Sequence, residues 1–282
     1  MYGLGAAADD RRAVARIFAV KGRPVDHPLI VHIRGADELD AWAAEVPPAA
    51  ALLAATCWPG PLTLLLPRGV RVLDGVTGGR DTVGLRVPAH PVTQELLVRS
   101  GRGIAAPSAN PFGRVSPTTA GHVLHDLGDV LDPTTDVILD GGPSPIGVES
   151  TIVDCTTEPP ELLRPGGIPR EEIEQLLDVG LATAGGPARA PGMLAAHYSP
   201  AATVVLAEDR RRGDAVRAGL ERDGLRVAVL DFGDDLVAYA RGLYQSLRDA
   251  DAAGADRVVA ILPPPRGLGH AIRDRLQKAA GG

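Results

Sequence analysis

A segment poor in bulky side chains divides this sequence. Residues 182–200 contain few large apolar groups and are interrupted repeatedly by Gly and Pro, which is typical of a linker. At 282 residues the chain also exceeds the usual length of one domain, about 100–200 residues. We therefore predict two domains, residues 1–181 and 201–282, joined by a linker over residues 182–200.

After the linker, strand-like and helix-like segments alternate regularly. Strands are predicted at 203–207, 226–230 and 257–262, and helices near 209–222, 236–251 and 268–280. This alternation favours a small, open and mostly parallel sheet with crossover connections, which is a Rossmann-like arrangement. The segment contains no GxGxxG, GxxxxGKS or GxxxxGKT motif, so the predicted fold does not assign it a nucleotide.

Before the linker, the sequence predicts a mixed α/β domain. Strand-like runs lie at 29–33, 62–66, 82–88, 104–106, 136–139, 147–154 and 161–164, and helix-like runs at 9–20, 36–46, 48–56, 91–100 and 169–179, with a further helix beginning near Ser116. Asp9 is a suitable N-cap for the first helix, and Ser116 or Thr118 for the helix near residue 116. The alternation in 82–88 places Thr82 and Arg86 side by side on one polar face.

The stretch from Gly103 to Thr118 combines a buried strand, a tight polar loop and a helix start. Hydroxyl and amide side chains, free backbone N–H groups and a helix N-terminus can together hold an anion. An ordinary strand-to-helix turn explains the same residues equally well. The stretch is therefore a candidate anion site that needs partners from elsewhere in the chain.

Charge and composition limit the class of protein. A net charge of −6 argues against broad, sequence-independent binding to nucleic acid. Cys57 and Cys155 lie far apart without CxxC spacing, which argues against a disulfide framework or a zinc site. The sequence has no apolar run of about 18 residues and no signal-like start, so we expect no membrane association and a cytoplasmic location.

A series of short motifs resembles the Sua5/YrdC/YciO family, in order and spacing, over nearly the whole chain. The motifs are YGLGA at 2–6, KGRP at 21–24, PLIVH at 28–32, WPGPLT at 58–63, GLRVP at 84–88, APSAN at 106–110, ESTIVD at 149–154, LRPG at 163–166, and PGM at 191–193 followed by HYSP at 197–200. Any one motif is weak evidence, but the whole series in register is strong. The linker and the C-terminal α/β segment are similar to the long, Sua5-type members, because the YrdC type ends after the first domain.

The resemblance implies L-threonylcarbamoyladenylate synthase activity. In that reaction ATP, L-threonine and bicarbonate become threonylcarbamoyl-AMP and pyrophosphate, and the product serves the t6A37 modification of certain tRNAs through a downstream tRNA threonylcarbamoyl-transferase machinery. The resemblance also implies a twisted α/β sheet around a concave, cationic cavity. Mg²⁺ is expected to arrive on the ATP phosphates with few protein ligands, so no metal residues are named.

By the same resemblance, a group of positions matches the nucleotide-binding residues of the family. They are Lys21, Arg23, His27, Thr82, Ser108, Asn110, Ser116, Arg164, His197 and Tyr198. Lys21 and Arg23 are the candidate catalytic residues, because adenylate chemistry needs fixed cations where phosphate charge develops. Two cations that merely complement the C-terminal end of a helix are the alternative interpretation of this pair. For Ser116 the alternative is helix capping, whereas Arg164 follows apolar residues and is costly to bury unpaired.

The threonine-binding positions of the family match His32, Arg86, Ala106 and Ser150. Arg86 suits the α-carboxylate, because a guanidinium can hold a carboxylate with two hydrogen bonds. His32 can contact the amine, hydroxyl or carbamate, although a histidine at a strand end is otherwise usually structural. Ala106 contributes backbone only, and the hydroxyl of Ser150 can alternatively close a turn.

His197 and Tyr198 end the predicted linker and resemble the residues that lie over the nucleotide in Sua5-type proteins. Such a lid excludes water and protects a labile carbamate and mixed anhydride. Docking of the linker onto the first domain is an equally good interpretation. No residue stands out as a covalent nucleophile, so we expect catalysis by proximity and charge stabilisation.

Two features depart from the family pattern. Family members usually carry a strand and a Pro-Thr-Glu-Thr-like segment before YGLGA, whereas this sequence is N-terminally shortened and begins at Met1. We expect an in-frame upstream copy of that segment in the gene, because its last threonine contacts substrate in the family. His27 stands where Asn is usual, and an imidazole replaces only part of the hydrogen bonding of an amide.

A non-catalytic RNA-binding or regulatory protein on the same scaffold is the alternative function, since a cationic hollow can accept RNA phosphates. The acidic net charge, the lack of an aromatic stacking row in the sequence and the threonine-type Arg86 count against it. Pyrophosphate release that requires both threonine and bicarbonate distinguishes the two functions.

Overall fold

The computed structural model describes residues 1–186, 189–193 and 197–281. The strands of the N-terminal part are β1 Ala6–Ala7, β2 Ile30–His32, β3 Leu62–Pro67, β4 Thr82–Arg86, β5 Ile104–Ala105, β6 Thr151–Asp154, β7 Glu161–Arg164 and β8 Ala182–Thr183. Its helices are α1 Arg11–Lys21, α2 Leu39–Trp42, α3 Pro48–Cys57, α4 Asp74–Thr77, α5 Pro91–Ser100, α6 Ala120–Leu127 and α7 Arg170–Leu177. The C-terminal part contains β9 Thr203–Ala207, α8 Arg210–Arg222, β10 Val227–Leu230, α9 Leu236–Ala252, β11 Arg257–Ile261 and α10 Leu268–Ala280.

Within these residues, the first eight strands form one mixed sheet in the order β1-β5-β2-β4-β3-β6-β7-β8. β2 runs parallel to β4, with His32 paired to Arg86. β3 is antiparallel to β4 and parallel to β6, so the ends of β2 and β4 and the start of β6 lie at one edge of the sheet. This edge therefore gathers His32, Arg86 and Ser150 from three separate motifs.

The core of the N-terminal part packs helices against this sheet. Its cluster of buried apolar side chains includes Val31 and Leu64 from the sheet, Ile17 from α1 and Trp42 from α2. Gly103 is required beside that tryptophan, because a Cβ at this position would lie 2.3 Å from a ring carbon of Trp42. Burying such a large ring stabilises the fold by several kcal/mol, to judge from the ~3–5 kcal/mol lost when core aromatics are truncated.

The strands β9, β10 and β11 form a second sheet in the order β10-β11-β9, and all of their pairings are parallel. The parallel arrangement predicted from the alternating segments is confirmed. The description of this part as Rossmann-like stays a prediction. The helix α10 packs against both α9 and β9.

A shared hydrophobic cluster joins the two parts of the molecule. Val115, Val148 and Tyr198 pack into the same cluster as Tyr244 on α9 and Ile272 on α10. Val115 lies in the loop before α6 and Val148 in the loop before β6, so the C-terminal helices lie directly against two loops that carry predicted site residues. The first two residues of the predicted linker, in β8, pair with β7 and extend the large sheet.

Two predicted helix caps are wrong. Asp10, rather than Asp9, caps α1, because its carboxylate accepts the free backbone N–H groups of the first turn. α6 begins after Thr119, whose hydroxyl accepts from the N–H of His122. Neither Ser116 nor Thr118 is therefore the cap, and the hydroxyl of Ser116 is free for a different contact.

Two predicted elements are also wrong. Residues 136–139 are not a strand: Val137 is 77% exposed, and no sheet neighbour covers the apolar positions of this run. The helix predicted over 36–46 is broken into a 3₁₀ turn and the short α2, since Ala43 is extended and bridges to Arg68. Tertiary pairing here overrides local helix propensity.

In the described ranges, none of the helices is both long and apolar enough to cross a membrane. Cys57 and Cys155 are both free thiols.

Candidate active site

α1 delivers Lys21 to the loop that follows β5. Gly22 ends the helix in the left-handed conformation, with φ 59°, and lets the chain turn directly after Lys21. The Lys21 ammonium donates hydrogen bonds to the carbonyl oxygen of Ser108, at 2.6 Å, and to that of Asn110. This contact joins the KGRP motif to the APSAN motif, across 87 residues of sequence.

Arg23 lies near Lys21 and over an aromatic ring. Its Nη2 donates to the carbonyl oxygen of Pro28 at 2.9 Å, and its guanidinium carbon lies 5.7 Å from the ring centroid of Phe112. Burial, reinforced by the charge of Arg23, lowers the pKa of Lys21 to about 7, and burial lowers the pKa of Arg23 to about 10. Both side chains are thus held in a poorly solvated place, where a bound anion would favour their charged forms.

The residues predicted to bind threonine lie at the edge of the sheet where β2 and β4 end and β6 begins. Arg86 donates from Nε to the carbonyl oxygen of Gly60 at 2.9 Å, and the His32 ring nitrogen Nδ1 lies 3.3 Å from the carbonyl oxygen of Ile104. Burial, followed by the charge of Arg86, lowers the pKa of His32 to about 3, so this imidazole is neutral at physiological pH. Ala106 follows β5 and donates its backbone N–H to the Ile30 carbonyl at 3.0 Å.

Arg164 fixes the segment before β6. Its Nε and Nη2 donate to the carbonyl oxygen of Ser150 at 3.1 and 2.8 Å, and Nη2 also contacts the Ser150 hydroxyl at 3.0 Å. That hydroxyl lies 2.7 Å from the hydroxyl of Thr63 on β3. Burial lowers the pKa of Arg164, and the charge of Arg164 in turn helps burial to lower the pKa of Arg86 to about 10. The arginines of the two proposed subsites are therefore electrostatically coupled.

The linker residues lie against these cations. Arg164 Nη1 donates to the carbonyl oxygen of Pro191 at 3.1 Å, and Lys278 on α10 donates to that of Gly192 at 2.6 Å. Gly192 has φ 80°, and a Cβ at this position would lie 2.7 Å from the Tyr198 hydroxyl and 3.0 Å from Arg164 Cδ. Only glycine allows this close approach of the linker backbone.

His197, in the linker, lies beside Arg23, one of the cations predicted to bind the ATP phosphates. Its ring packs edge-on against Phe112 at 6.0 Å and against Tyr198 at 4.1 Å. Burial lowers the pKa of His197 to about 4. The charge of Glu149 opposes this shift, whereas the charges of Arg23, Lys21 and Arg164 reinforce it. Arg23 lines a cavity together with His197, and Arg164 donates to the linker at Pro191, so the KGRP and LRPG motifs both meet the linker in this region.

A cavity of about 180 Å³ opens at this point. Its lining includes Arg23, His27, Phe112, Gly192 and His197. His27 packs edge-on against the Phe112 ring at 5.2 Å. The position that departs from the family pattern therefore faces the same cavity as Arg23, whereas Lys21 is not part of its lining.

Among the described residues, four buried side-chain atoms lack a hydrogen-bonding partner: Arg23 Nε and His197 Nδ1, whose residues line the cavity, and Asn110 Oδ1 and Arg275 Nη2, whose residues do not. Asn110 nevertheless anchors its own loop, because its Nδ2 donates to the carbonyl oxygens of Pro111 and Arg114 at 2.9 and 2.8 Å. Buried polar groups are normally paired, and each exception needs an explanation. A polar ligand in this cavity would offer partners to Arg23 Nε and His197 Nδ1.

Thr82 and Arg86 are the first and last residues of β4. The two residues share a face of β4 but occupy its opposite ends, roughly 13 Å apart at the usual rise of a strand. The expectation that they lie side by side is therefore wrong. The alternation of side chains along β4 places Thr82 and Arg86 on one face, but it does not make them neighbours.

A larger cavity, of about 440 Å³, lies at the carboxyl ends of β9, β10 and β11. Its lining contains four carboxylates and two arginines, and both arginines are paired: Arg210 with Asp231 at 2.6 Å, and Arg273 with Glu208 at 3.1 Å. The smaller cavity, with the buried Arg23 and the unpaired atoms of Arg23 and His197, is the better candidate for an anionic substrate. Neither cavity offers a metal centre, since the described residues contain no group of three or more His, Cys, Asp or Glu that could hold an ion.

Sequence reasoning missed a buried polar cluster beside this site. Glu149 accepts hydrogen bonds from Tyr244 on α9, Arg275 on α10 and Ser116. The only sequence signal is that Glu149 opens the ESTIVD motif. Arg275 looks like any helical arginine in the sequence, because its burial depends on how the two parts pack together.

Over the described residues, the fold is that of a mixed α/β protein with one eight-stranded and one three-stranded sheet. A family model described as "Telomere recombination" (Sua5_yciO_yrdC) matches residues 1–166, and one described as "Threonylcarbamoyl-AMP synthase, C-terminal domain" (Sua5_C) matches residues 168–281. The chain therefore belongs to the Sua5/YciO/YrdC family, in the long form that carries the Sua5 C-terminal domain.

Individual relatives agree with this assignment. The threonylcarbamoyl-AMP synthase of Pyrococcus abyssi is 43% identical over 303 residues, which cover 100% of this chain and 88% of the relative. The enzyme of the same name from Bacillus subtilis is 41% identical over 306 residues, covering 100% and 87%.

Solved structures show the same similarity. The crystal structure of P. abyssi Sua5 complexed with L-threonine superposes with a TM-score of 0.94 at 43% identity, covering 99% of this chain and 87% of that one. A variant of the same protein, with adjacent His-to-Ala and Tyr-to-Ala substitutions, superposes with a TM-score of 0.93 at 42% identity, covering 99% and 86%.

Proposed function

We propose that this protein is an L-threonylcarbamoyladenylate synthase, which converts ATP, L-threonine and bicarbonate into threonylcarbamoyl-AMP and pyrophosphate for tRNA t6A37 modification. The observation that carries the proposal is the similarity, over the full chain, to relatives of that name and to a threonine complex of 43% identity. We further propose a catalytic domain over residues 1–181, a linker over 182–200 and a C-terminal domain over 201–282.

The ATP phosphates are assigned to the buried cations. Lys21 and Arg23 face the reacting phosphates, where fixed positive charge stabilises the transition state more than the ground state. The unpaired Arg23 Nε and Asn110 Oδ1 supply a further donor and acceptor for the nucleotide. His27, Thr82, Ser108, Ser116, Arg164, His197 and Tyr198 complete the proposed nucleotide site. Mg²⁺ is proposed to bind to the ATP phosphates, and none of the roles proposed for these residues depends on it.

Threonine is assigned to the sheet edge. Arg86 holds the α-carboxylate, and the neutral imidazole of His32 contacts the amine or carbamate. The backbone of Ala106 and the hydroxyl of Ser150 complete this subsite. The hydrogen bonds from Arg164, a proposed ATP ligand, to Ser150, a proposed threonine ligand, support placing the two substrates next to each other.

The chemistry follows from this placement. The threonine amine and bicarbonate form a carbamate with loss of water, and a carbamate oxygen then attacks the α-phosphorus of ATP. The bond from the α-phosphorus to the bridging oxygen breaks, and pyrophosphate leaves with the electron pair. Lys21 and Arg23 stabilise the charge that develops, and no covalent enzyme intermediate is required.

The linker is proposed to act as the lid of this site. Its contacts through Pro191, Gly192 and His197 already span Arg164, Phe112 and Lys278. Closure over ATP excludes water from the carbamate and the mixed anhydride. The product passes to a tRNA threonylcarbamoyl-transferase, which we propose as the downstream partner.

Pyrophosphate release by the purified chain tests the function. We expect release that requires ATP, L-threonine and bicarbonate together, with threonylcarbamoyl-AMP as the co-product. Omission of threonine or of bicarbonate is the internal control and should abolish release. RNA binding without any threonine-dependent release would favour the alternative, a non-catalytic RNA-binding or regulatory protein.

A further inference from the structure

A buried carboxylate lies at the junction of the two parts of the molecule. Glu149 is 8% exposed and directly precedes Ser150. Its Oε1 accepts from the Tyr244 hydroxyl at 2.8 Å, and its Oε2 accepts from Arg275 Nε at 2.7 Å. Tyr244 lies on α9 and Arg275 on α10, so both of these partners come from the C-terminal part.

The same carboxylate reaches both proposed subsites. Ser116, a proposed ATP ligand, donates its hydroxyl to Glu149 Oε1 at 3.3 Å. Ser150, a proposed threonine ligand, is its neighbour in the chain. The backbone of Glu149 is also fixed, because the Gly167 N–H donates to its carbonyl oxygen at 3.0 Å. One side chain therefore links the C-terminal helices to two substrate-binding segments.

The charge of Glu149 depends on this arrangement. Burial alone raises its pKa, but the charges of Arg275 and Arg164, with hydrogen bonds from Arg275 and Tyr244, lower the pKa to about 2. A buried carboxylate of this kind needs a counter-ion. Arg275, 1% exposed, fills that role and leaves Arg164 bonded to Ser150. Arg164 is a second cation whose charge acts on this carboxylate. Without Arg275, a pairing of Arg164 with Glu149 would draw it away from Ser150.

We propose that Glu149, fixed by Arg275 and Tyr244, is a positioning residue for Ser116 and Ser150, so that the C-terminal domain completes the substrate site of the N-terminal domain. The inference rests on the proposed function. Arg275 and Tyr244 touch no substrate, and their effect passes through the Glu149 carboxylate.

Two variants separate positioning from simple stabilisation. The double variant Glu149→Gln, Arg275→Met removes both charges of the pair together and so avoids the costly outcome of single removal. Asp274, the second partner of Arg275, keeps its ion pair with Lys278 at 2.7 Å. Tyr244→Phe removes one hydroxyl and keeps the ring. The matched control is Glu171→Gln, because Glu171 also contacts the C-terminal part, accepting from the Gly267 N–H at 3.2 Å, but lies outside the proposed site.

The readouts are thermal unfolding, kcat, and separate KM values for ATP and L-threonine in the pyrophosphate assay. We expect both site variants to raise both KM values about tenfold, the effect of losing ~1.4 kcal/mol of binding, while Glu171→Gln leaves them unchanged. A purely structural role lowers the folded fraction, and hence apparent kcat, but does not change KM.

Three outcomes are decisive. Site variants with wild-type KM values overturn the inference, and so does a control variant whose KM values rise equally. If the wild-type chain itself shows no threonine-dependent release, the proposed function has failed before any variant is compared, and the inference falls with it.

Discussion

The ammonium group of Lys21 donates a hydrogen bond to the carbonyl oxygen of Ser108 at 2.6 Å, which fixes the end of α1 to the loop after β5. Neither partner neutralises the cation, because a carbonyl carries no charge. The positive charge therefore remains available to a substrate, and the hydrogen bonds orient it. This relationship is the basis of the first two predictions.

Replacement of Lys21 by Met should reduce kcat for pyrophosphate release by about 100-fold or more, the usual effect of removing one preorganised transition-state donor. The fold should survive, since Met fills a similar volume and removes a poorly solvated charge. The control is Arg12→Met on the same helix, where the side chain is exposed. Comparable activity in Lys21→Met and Arg12→Met would remove Lys21 from the mechanism.

ATP binding should be accompanied by proton uptake. The Lys21 pKa of about 7 in the free protein means that the amine is mostly neutral at about pH 8, and bound phosphates favour its charged form. We expect uptake of roughly one proton at about pH 8. Calorimetry in buffers of different ionisation enthalpy measures it. Lys21→Arg is the control, because arginine stays charged and should show no such uptake.

The same pKa has a consequence for stability. The folded pKa of Lys21 is depressed from 10.5 to about 7, so the unfolded chain binds more protons between these values. The free energy of unfolding, relative to Lys21→Met, should therefore rise with pH from about 7 to about 10.5. Denaturant titrations of both proteins across this range measure the difference, and a flat or falling difference contradicts the depressed pKa.

Arg86→Lys should weaken threonine binding selectively. Lysine keeps the charge but loses the planar fork that holds a carboxylate and the Nε contact to Gly60. We expect KM for threonine to rise about tenfold to 100-fold, equivalent to ~1.4–2.8 kcal/mol, and KM for ATP to change little. Arg99→Lys on exposed α5 is the control. An equal effect on both KM values would place Arg86 outside a dedicated threonine subsite.

Gly192→Ala should disturb the lid. The residue has φ 80°, and the added Cβ would meet the Tyr198 hydroxyl at 2.7 Å and Arg164 Cδ at 3.0 Å. Gly186→Ala is a matched control in the same linker, since its φ is 78° but nothing lies within 4 Å of the added Cβ. Both substitutions carry similar backbone strain, about 1–3 kcal/mol.

Only Gly192→Ala should also lower kcat and raise KM for ATP in the pyrophosphate assay. Steady-state kinetics of the two variants, measured side by side, test this difference. Equal losses in both would assign the effect to backbone strain and would contradict a lid held closed at Gly192.

The sequence by itself determined the periodic elements and the motifs. The parallel strands of the C-terminal sheet follow from the alternation of apolar runs with amphipathic segments, which depends only on local period. Lys21, Ser108 and Arg86 were found because each lies in a short motif with a recognisable spacing. The sequence does not decide which residue caps a helix, because Asp10 and Thr119 each have a neighbouring Asp or Thr with the same capping chemistry.

Only the tertiary structure decided which distant residues meet. The sheet register paired His32 with Arg86 and brought the start of β6 to the same end of the sheet. The buried contact between Glu149 and Arg275 spans 126 residues, and no local pattern encodes it. Propensity and period act over a few residues, whereas burial, pKa shifts and counter-ion choice depend on which surfaces pack together, and that is settled only when the two parts of the chain fold against each other.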